Sequence, residues 1–404
     1  MDSANPAYDD GTLPEILMEK LVEIPLKKSN MNYNKKMNLC IGLLLVLLTA
    51  CQGAKKEVET QTPRISVSEY AMLHEVVKIK LDNVAPDMEV TVDFGDGTVE
   101  TGRNNGLLTH AYAKEGDYTI KAQTATGTLA AGIHVCNLPA LSVAMQQFKD
   151  PSYKKVWVMA HRAHTQDKTI PENSLSAIEA AVAAGAEILE CDVRQTKDGV
   201  LVVCHDETID ATTTGQGRIA DMTYDEILQY NLKDRAGKPT DEKMPTLEEY
   251  LTAVRGRAYV DIDKCTGQGI FGKVADVVCR TGMMEAVFFY SGVEEGTREV
   301  LGVVEDANIY PWVGGHKLLE GLPRTFFVQT SYATEGRSPS LGDSVELGMV
   351  PSVCLLWVLD QAIPEYALDD RQLDELFDIF PTVRMIQTDV PAELIAALEK
   401  KGLR

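Results

Sequence analysis

Positive charge is scarce in this chain: 39 Lys and Arg stand against 60 Asp and Glu, a formal net charge of -21. A surface that negative repels phosphate backbones, which sets nucleic acid aside as a partner. It also repels small anions, so a phosphate site here needs local positive charge from a metal ion, an Arg or a Lys. CxxC spacing is absent among the eight cysteines, which removes the common zinc and redox-pair signatures. Cys136, Cys191, Cys204, Cys265, Cys279 and Cys354 are scattered, three of them in strand-like runs, and read as small buried thiols. Sequence alone assigns no disulfide. The apolar run Leu39 to Leu48 is too short to cross a bilayer, which takes about 20 residues. What remains is an ordinary globular balance, 45% hydrophobic and 25% charged, over 404 residues, enough for two or three folded units.

The short apolar run has a different meaning. Lys35 and Lys36 precede it, and Leu48-Thr49-Ala50-Cys51 ends it. Basic residues, a short apolar stretch and then small residues form the secretory-signal pattern. The last four residues resemble the lipobox of bacterial lipoproteins, which implies lipidation of Cys51 and a lipid-anchored protein of the bacterial cell envelope. Residues 31–50 are then the signal peptide, and 1–30 read as an over-extended or non-native start. Residues 51–62 are polar and charged and read as a flexible tether.

From 63 to 136 the pattern is short and alternating. Val77 to Leu81 alternates apolar and polar, and Met88 to Val92 and Tyr118 to Ala122 behave the same way. Asp93-Phe94-Gly95-Asp96-Gly97-Thr98 is a glycine-punctuated turn between such runs. Asp93 and Asp96 are expected to bond nearby amides, with calcium as the lesser alternative. With His110-Ala111-Tyr112 and Gly116-Asp117-Tyr118-Thr119-Ile120, these residues resemble the polycystin-type (PKD) Ig-like domain. That implies a small all-β sandwich serving as a spacer or as a surface for glycan or protein contact.

From 138 to 404 strand-like runs alternate with helical ones. Strands are expected at Val156 to Ala160, Glu187 to Val193, Val200 to Cys204, Ala258 to Ile262, Ala286 to Tyr290, Thr325 to Gln329, Val353 to Val358 and Val383 to Gln387. Helices are expected at Ser174 to Ala184, Leu247 to Val254, Gly269 to Arg280 and Ala392 to Lys400, among others. About eight strands spaced by helices predict an α/β fold, a TIM-like (β/α)8 barrel, whose active site forms where the strands end.

Polar residues gather at those ends. Val156 to Ala160 runs into His161-Arg162, and Val200 to Cys204 runs into His205-Asp206. Glu190 and Asp192 share one face of a strand, as do Asp261 and Asp263, because side chains alternate. Carboxylates are hard ligands that suit one divalent cation, Ca²⁺ or Mg²⁺. Two histidines suit general acid and base work, and Arg162 offers a fork for phosphate oxygens. Which His is acid and which is base stays open, as does the choice between Asp261 and Asp263.

The same region resembles the glycerophosphodiester phosphodiesterase family. The matching residues are His161-Arg162, Pro171-Glu172-Asn173-Ser174, Glu190-Cys191-Asp192-Val193, Thr196-Lys197-Asp198-Gly199, His205-Asp206, Thr213 to Gly217, Pro245 to Glu249 and Gln387-Thr388-Asp389-Val390-Pro391. The resemblance implies metal-dependent hydrolysis of a glycerophosphodiester to glycerol phosphate and an alcohol. It implies His161 and His205 as the acid/base pair, Glu190 and Asp192 as metal ligands, and Arg162 at the phosphate. Aligning the apolar strand puts Asp263 at the third acidic ligand, with Asp261 as the alternative, and Cys265 at a usual Lys. Lys264 is then expected at the phosphate from a shifted position. Ala163 replaces a usual Gly, so the loop there is expected to differ slightly. Glu172 is expected at a helix start, with contact to the metal shell as the lesser alternative. Val358-Leu359-Asp360 departs from the family pattern on the alcohol side. Two rival readings keep the barrel: a phosphodiesterase for intact lipids or glycerol-phosphate polymers, and a non-catalytic surface-binding lipoprotein.

Overall fold

The computed structural model describes residues 62–312, 319–322, 324–331, 345–356 and 370–404. The leader, Cys51, nearly all of the tether and the 357–360 departure lie outside the described residues.

Alternation builds the first region. Along β3 (Val77–Asp82) the apolar residues Val77, Ile79 and Leu81 are buried while Lys78 and Lys80 face solvent. β1 (Arg64–Ser66), β3 and β6 (Leu108–His110) make a three-stranded antiparallel sheet. A five-stranded sheet runs in the order β2 (Tyr70–Leu73), β8 (Gly127–Pro139), β7 (Gly116–Thr124), β4 (Glu89–Asp93), β5 (Val99–Arg103). Both sheets contribute to one core, with Ile79, Val92, Phe94, Tyr112 and Ile120 fully buried or nearly so. Two sheets over a shared apolar layer is the sandwich arrangement. In the turn after β4, Gly95 sits at φ 84°, and a Cβ there would stand 2.8 Å from the carbonyl oxygen of Thr119. Only glycine meets both demands without strain.

The second region is a parallel barrel. Its ladder order is β14 (Ile309–Pro311), β13 (Val287–Ser291), β12 (Tyr259–Asp263), β10 (Ile188–Gln195), β9 (Trp157–Ala160), β17 (Met385–Thr388), β16 (Val350–Cys354), β15 (Phe327–Ser331). A parallel bridge between Ile309 and Thr325 nearly closes the circle. Helices Leu175–Ala184, Leu247–Val254, Phe271–Arg280, Glu294–Val303, Asp370–Ile379 and Pro391–Lys400 pack outside. Their ends obey local rules. Ser174 accepts a bond from the Ala177 amide, Gly185 closes the same helix at φ 94°, and Thr246 with Glu249 forms a capping box. Among the described residues no helix is long and apolar enough to cross a membrane.

One expected barrel strand is not in the barrel. β11 (Leu201–Val203) folds back antiparallel on β10, pairing Val193 with Val203. The cause is the link: Thr196 to Gly199 turns at once, with the Thr196 amide bonding the Val200 carbonyl at 2.9 Å and Gly199 at φ 88°. Four residues make a hairpin, whereas a parallel crossover needs a dozen or more. The eighth barrel strand is instead β14, three residues long and too short to show a pattern.

The two ends of the barrel differ. At the strand starts Trp157 stacks on Tyr259 at 5.2 Å, and Phe148 contacts Trp157 and Phe327 edge-on at 5.3 Å each. The sandwich packs on this end: the Leu141 amide bonds the Glu285 carbonyl, the Tyr259 hydroxyl bonds the Pro139 carbonyl, and Arg255 lies 3.4 Å over the Tyr70 ring. Apolar and aromatic burial of this kind contributes about 2 kcal/mol per large side chain and fixes the closed end. The open end carries the polar residues.

Candidate active site at the open end of the barrel

β10 and β12 run parallel with Glu190 opposite Asp261 and Asp192 opposite Asp263. Four carboxyls therefore form a square on one face. Glu190, Asp192 and Asp261 are each at most 2% exposed, which makes their mutual repulsion poorly screened. Burial and then the neighbouring acids push Glu190 and Asp261 well above the usual carboxylate range, and Asp192 moves the same way. Glu190, Asp192 and Asp263 can place one oxygen each within 4.8 Å of one another, a candidate metal site. The geometry favours Asp263 over Asp261 as the third member. Asp261 stands deeper, and its buried Oδ1 has no hydrogen-bond partner. The donor set fits a divalent cation: three hard oxygens converge, and their buried charge calls for a positive partner.

The end of β9 supplies the next groups. His161 Nδ1 lies 2.8 Å from Asp389 Oδ1, and its Nε2 faces Glu190 Oε2 at 3.9 Å. An ionised carboxylate only accepts, so Nδ1 carries the hydrogen and Nε2 presents its lone pair to the acid square. Burial lowers the imidazole pKa, and this outweighs the opposing pull of Asp389. The Arg162 amide donates to Glu190 Oε2 at 2.7 Å, its guanidinium bonds Glu172 at 3.0 Å, and its buried Nε stands 3.8 Å from Asp192 without a hydrogen bond. Asn173 donates to Asp192 at 3.2 Å.

The hairpin that replaces the expected strand still delivers His205. The Cys204 amide bonds the Asp192 carbonyl at 2.9 Å, which brings the next residue, His205, to the end of β10. Its Nδ1 lies 2.8 Å from Asp206, and Arg194 holds its carbonyl. Lys264 follows β12 with Nζ 3.6 Å from Asp263. Every expected barrel-site residue is thus at this end.

Several features were not foreseen. Glu172 does not start the helix, since Ser174 caps it; Glu172 instead bonds Arg162 and His164, and burial opposed by those partners leaves its pKa down at about 2. His164 and Asp389 join His161 in a second close group. His164 stands three residues beyond His161 in the same loop, and Asp389 follows the last strand, so both positions were visible as strand-end polar residues. Arg162, Ala163, Asn173 and Lys264 all have φ between 49° and 58°. Ala163 thus takes the left-handed form despite its Cβ, and the loop keeps the geometry a glycine would allow. Such strain clusters at working sites held by their surroundings. Cys136, Cys191, Cys204 and Cys265 are buried free thiols as expected, whereas Cys279 is an exposed one and Cys354 is only partly buried.

Fold and site together define a TIM-type parallel barrel with a histidine and acid centre at its open end. Residues 161–272 match the model of the glycerophosphoryl diester phosphodiesterase family. A glycerophosphodiester phosphodiesterase of Caldanaerobacter subterraneus is 40% identical over 107 residues, 26% of this chain and 43% of that protein. Glycerophosphodiester phosphodiesterase 1 of Homo sapiens is 41% identical over 99 residues, 24% of this chain and 29% of that protein. The chain thus spans less than half the length of these curated relatives. A solved glycerophosphoryl diester phosphodiesterase structure from Parabacteroides distasonis shares the fold, with a TM-score of 0.56 and 20% identity over 66% of this chain and 94% of that one.

Proposed function

We propose that the barrel hydrolyses glycerophosphodiesters to glycerol phosphate and an alcohol, with one Ca²⁺ or Mg²⁺ held by Glu190, Asp192 and Asp263. The observation that carries this reading is that His161 Nε2 faces Glu190 at 3.9 Å, and that Glu190 belongs to a group of three carboxyls, two of them buried, whose oxygens lie within 4.8 Å of one another. The bound ion would neutralise phosphate charge and stabilise the charge of the transition state. His161 Nε2, held unprotonated, takes the proton from the substrate hydroxyl next to the phosphate. That oxygen bonds to phosphorus as the alcohol departs, and His205 gives the leaving oxygen a proton. Water then opens the cyclic phosphate with the two histidines in exchanged roles. Arg162 and Lys264 bind the non-bridging oxygens.

The same proposal puts the enzyme in the bacterial cell envelope, anchored through lipid on Cys51, with the sandwich as a spacer or an adhesive surface. Incorporation of labelled lipid that disappears in Cys51→Ala supports the anchor, and unchanged incorporation overturns it. For the activity, the protein is incubated with glycerophosphocholine and glycerophosphoinositol with Ca²⁺ or Mg²⁺. Release of glycerol phosphate that a chelator stops is the expected result. Release only from a lysophospholipid or a glycerol-phosphate polymer would move the substrate class, and chelator-resistant release would remove the metal from the account.

A further inference from the structure

Five charged or titratable side chains form one continuous chain of contacts across the open end. His161 Nδ1 and His164 Nδ1 both meet Asp389 Oδ1, at 2.8 and 2.5 Å. The other nitrogen of His164 faces Glu172 Oε2 at 3.4 Å, and Glu172 Oε1 accepts from Arg162 at 3.0 Å. His164 is the middle link, and only 6% of it is exposed. We propose that His164 is a positioning residue that couples the acid/base His161 to the phosphate-binding Arg162 through Asp389 and Glu172. The inference rests on the phosphodiesterase reading given above and adds to it a residue outside the motifs that led there.

The chemistry of the link favours this role. Both nitrogens of His164 face carboxylates, and an imidazole donates from both only as the cation. Burial pulls its pKa down, but the bonds to Asp389 and Glu172 outweigh that and raise it. Asp389 is driven below the usual range by the two histidines despite burial. With His161 neutral, the chain holds Asp389 and Glu172 against His164 and Arg162, two negative and two positive charges. A balanced, hydrogen-bonded network can stay buried, whereas one with a missing partner cannot. Without His164 the carboxylate orienting His161 and the one holding Arg162 each lose a fixed donor. The contacts are hydrogen bonds rather than a ready-made metal site. Two ligands sharing a tetrahedral zinc at about 2.0–2.1 Å would stand about 3.3 Å apart, farther than either nitrogen is from Asp389 Oδ1.

The two arms can be tested separately. An Asn amide overlays the Nδ1 position and a Gln amide the Nε2 position. Partners that orient a functional ligand typically matter about 10–100-fold, so His164→Ala is expected to lower kcat on glycerophosphocholine by that factor and to raise KM as well. His164→Asn keeps the Asp389 arm and recovers most of kcat but not KM. His164→Gln keeps the Glu172 arm and recovers KM but not kcat. Equal kinetics for Ala, Asn and Gln, or Ala kinetics like the parent, overturn the proposal. The ring ¹⁵N spectrum of His161 gives a readout independent of turnover. A single Nδ1–H tautomer in the parent and in His164→Asn, with mixed tautomers in His164→Gln, supports the coupling; identical spectra overturn it. A parent protein that turns over no glycerophosphodiester refutes the functional reading, and the spectra still decide the network.

Discussion

Two clusters of acids in this chain have opposite characters. In the sandwich turn, Asp93 and Asp96 accept bonds from the Gly95 and Thr98 amides at 2.9 Å, and Asp96 also meets His110 at 2.7 Å. Burial opposes ionisation of Asp96, yet His110 and Thr98 win and lower its pKa. In the barrel, Glu190, Asp192 and Asp261 are buried, repel one another and are raised. The turn has local partners for its charge. In the barrel square the Arg162 amide, Asn173 and Lys264 do not offset burial and mutual repulsion, and buried acids so poorly compensated suit a cation. Acidic composition alone does not distinguish the two regions; the supply of donors does.

The largest effect that separates them is catalytic. Removing a general acid or base typically costs about 10²–10⁴-fold in rate, so His161→Ala and His205→Ala should each lose that much turnover while circular dichroism stays native. Asp96→Asn in the sandwich should leave turnover unchanged. A loss below tenfold for either histidine would erase the contrast.

Metal binding comes next. Ligand at about 100 times its Kd stabilises the folded state by about 2.7 kcal/mol, so Ca²⁺ or Mg²⁺ should raise Tm in the parent and in Asp93→Asn but not in Asp192→Asn. The effect should depend on pH with a definite sign. Glu190, Asp192 and Asp261 have folded pKa values above their unfolded ones. Such groups bind protons more tightly when folded, so without metal their stability contribution is present at low pH. It declines as pH rises from the unfolded value near about 4 through the raised folded value. Metal should therefore add more to Tm at pH 8 than at pH 5. A gain that does not vary with pH contradicts the assignment.

Smaller effects sharpen the comparison from the other side. The buried Tyr112 hydroxyl bonds the Phe94 carbonyl at 3.1 Å. Losing one such bond costs about 1 kcal/mol, so Tyr112→Phe should lower Tm slightly without changing the metal increment. Ala163, at φ 52°, has a backbone suited to glycine. Relief of that strain is worth about 1 kcal/mol and is partly offset by the freer unfolded chain, so Ala163→Gly should raise Tm by a degree or two. Thermal scans with and without metal check both, and a lower Tm for Ala163→Gly would show the strain is absent.

Much of the site was legible because a parallel barrel converts sequence position into place. Period-two alternation put Glu190 with Asp192 and Asp261 with Asp263, and the register paired them as the strand ends suggested. The eight-strand count was reached with one wrong member: Val200 to Cys204 looked like a barrel strand because hairpin and barrel strands share a pattern, and only the four-residue turn tells them apart. Ile309–Pro311 was too short to be seen. The partners of Glu172 were hidden because Pro-Glu-Asn-Ser also spells a helix start, and those partners come from spatial rather than sequence neighbours. The link from His164 to Asp389 joins residues 225 positions apart and is invisible without the closed barrel.

Isothermal titration of Ca²⁺ and Mg²⁺ into the metal-free protein, with glycerol phosphate release followed on the same samples, tests the central claim most directly. The account predicts one ion per chain, lost in Glu190→Gln and Asp192→Asn together with turnover, and retained in Asp93→Asn and Asp96→Asn. Turnover that persists when the acid square no longer binds an ion would contradict it.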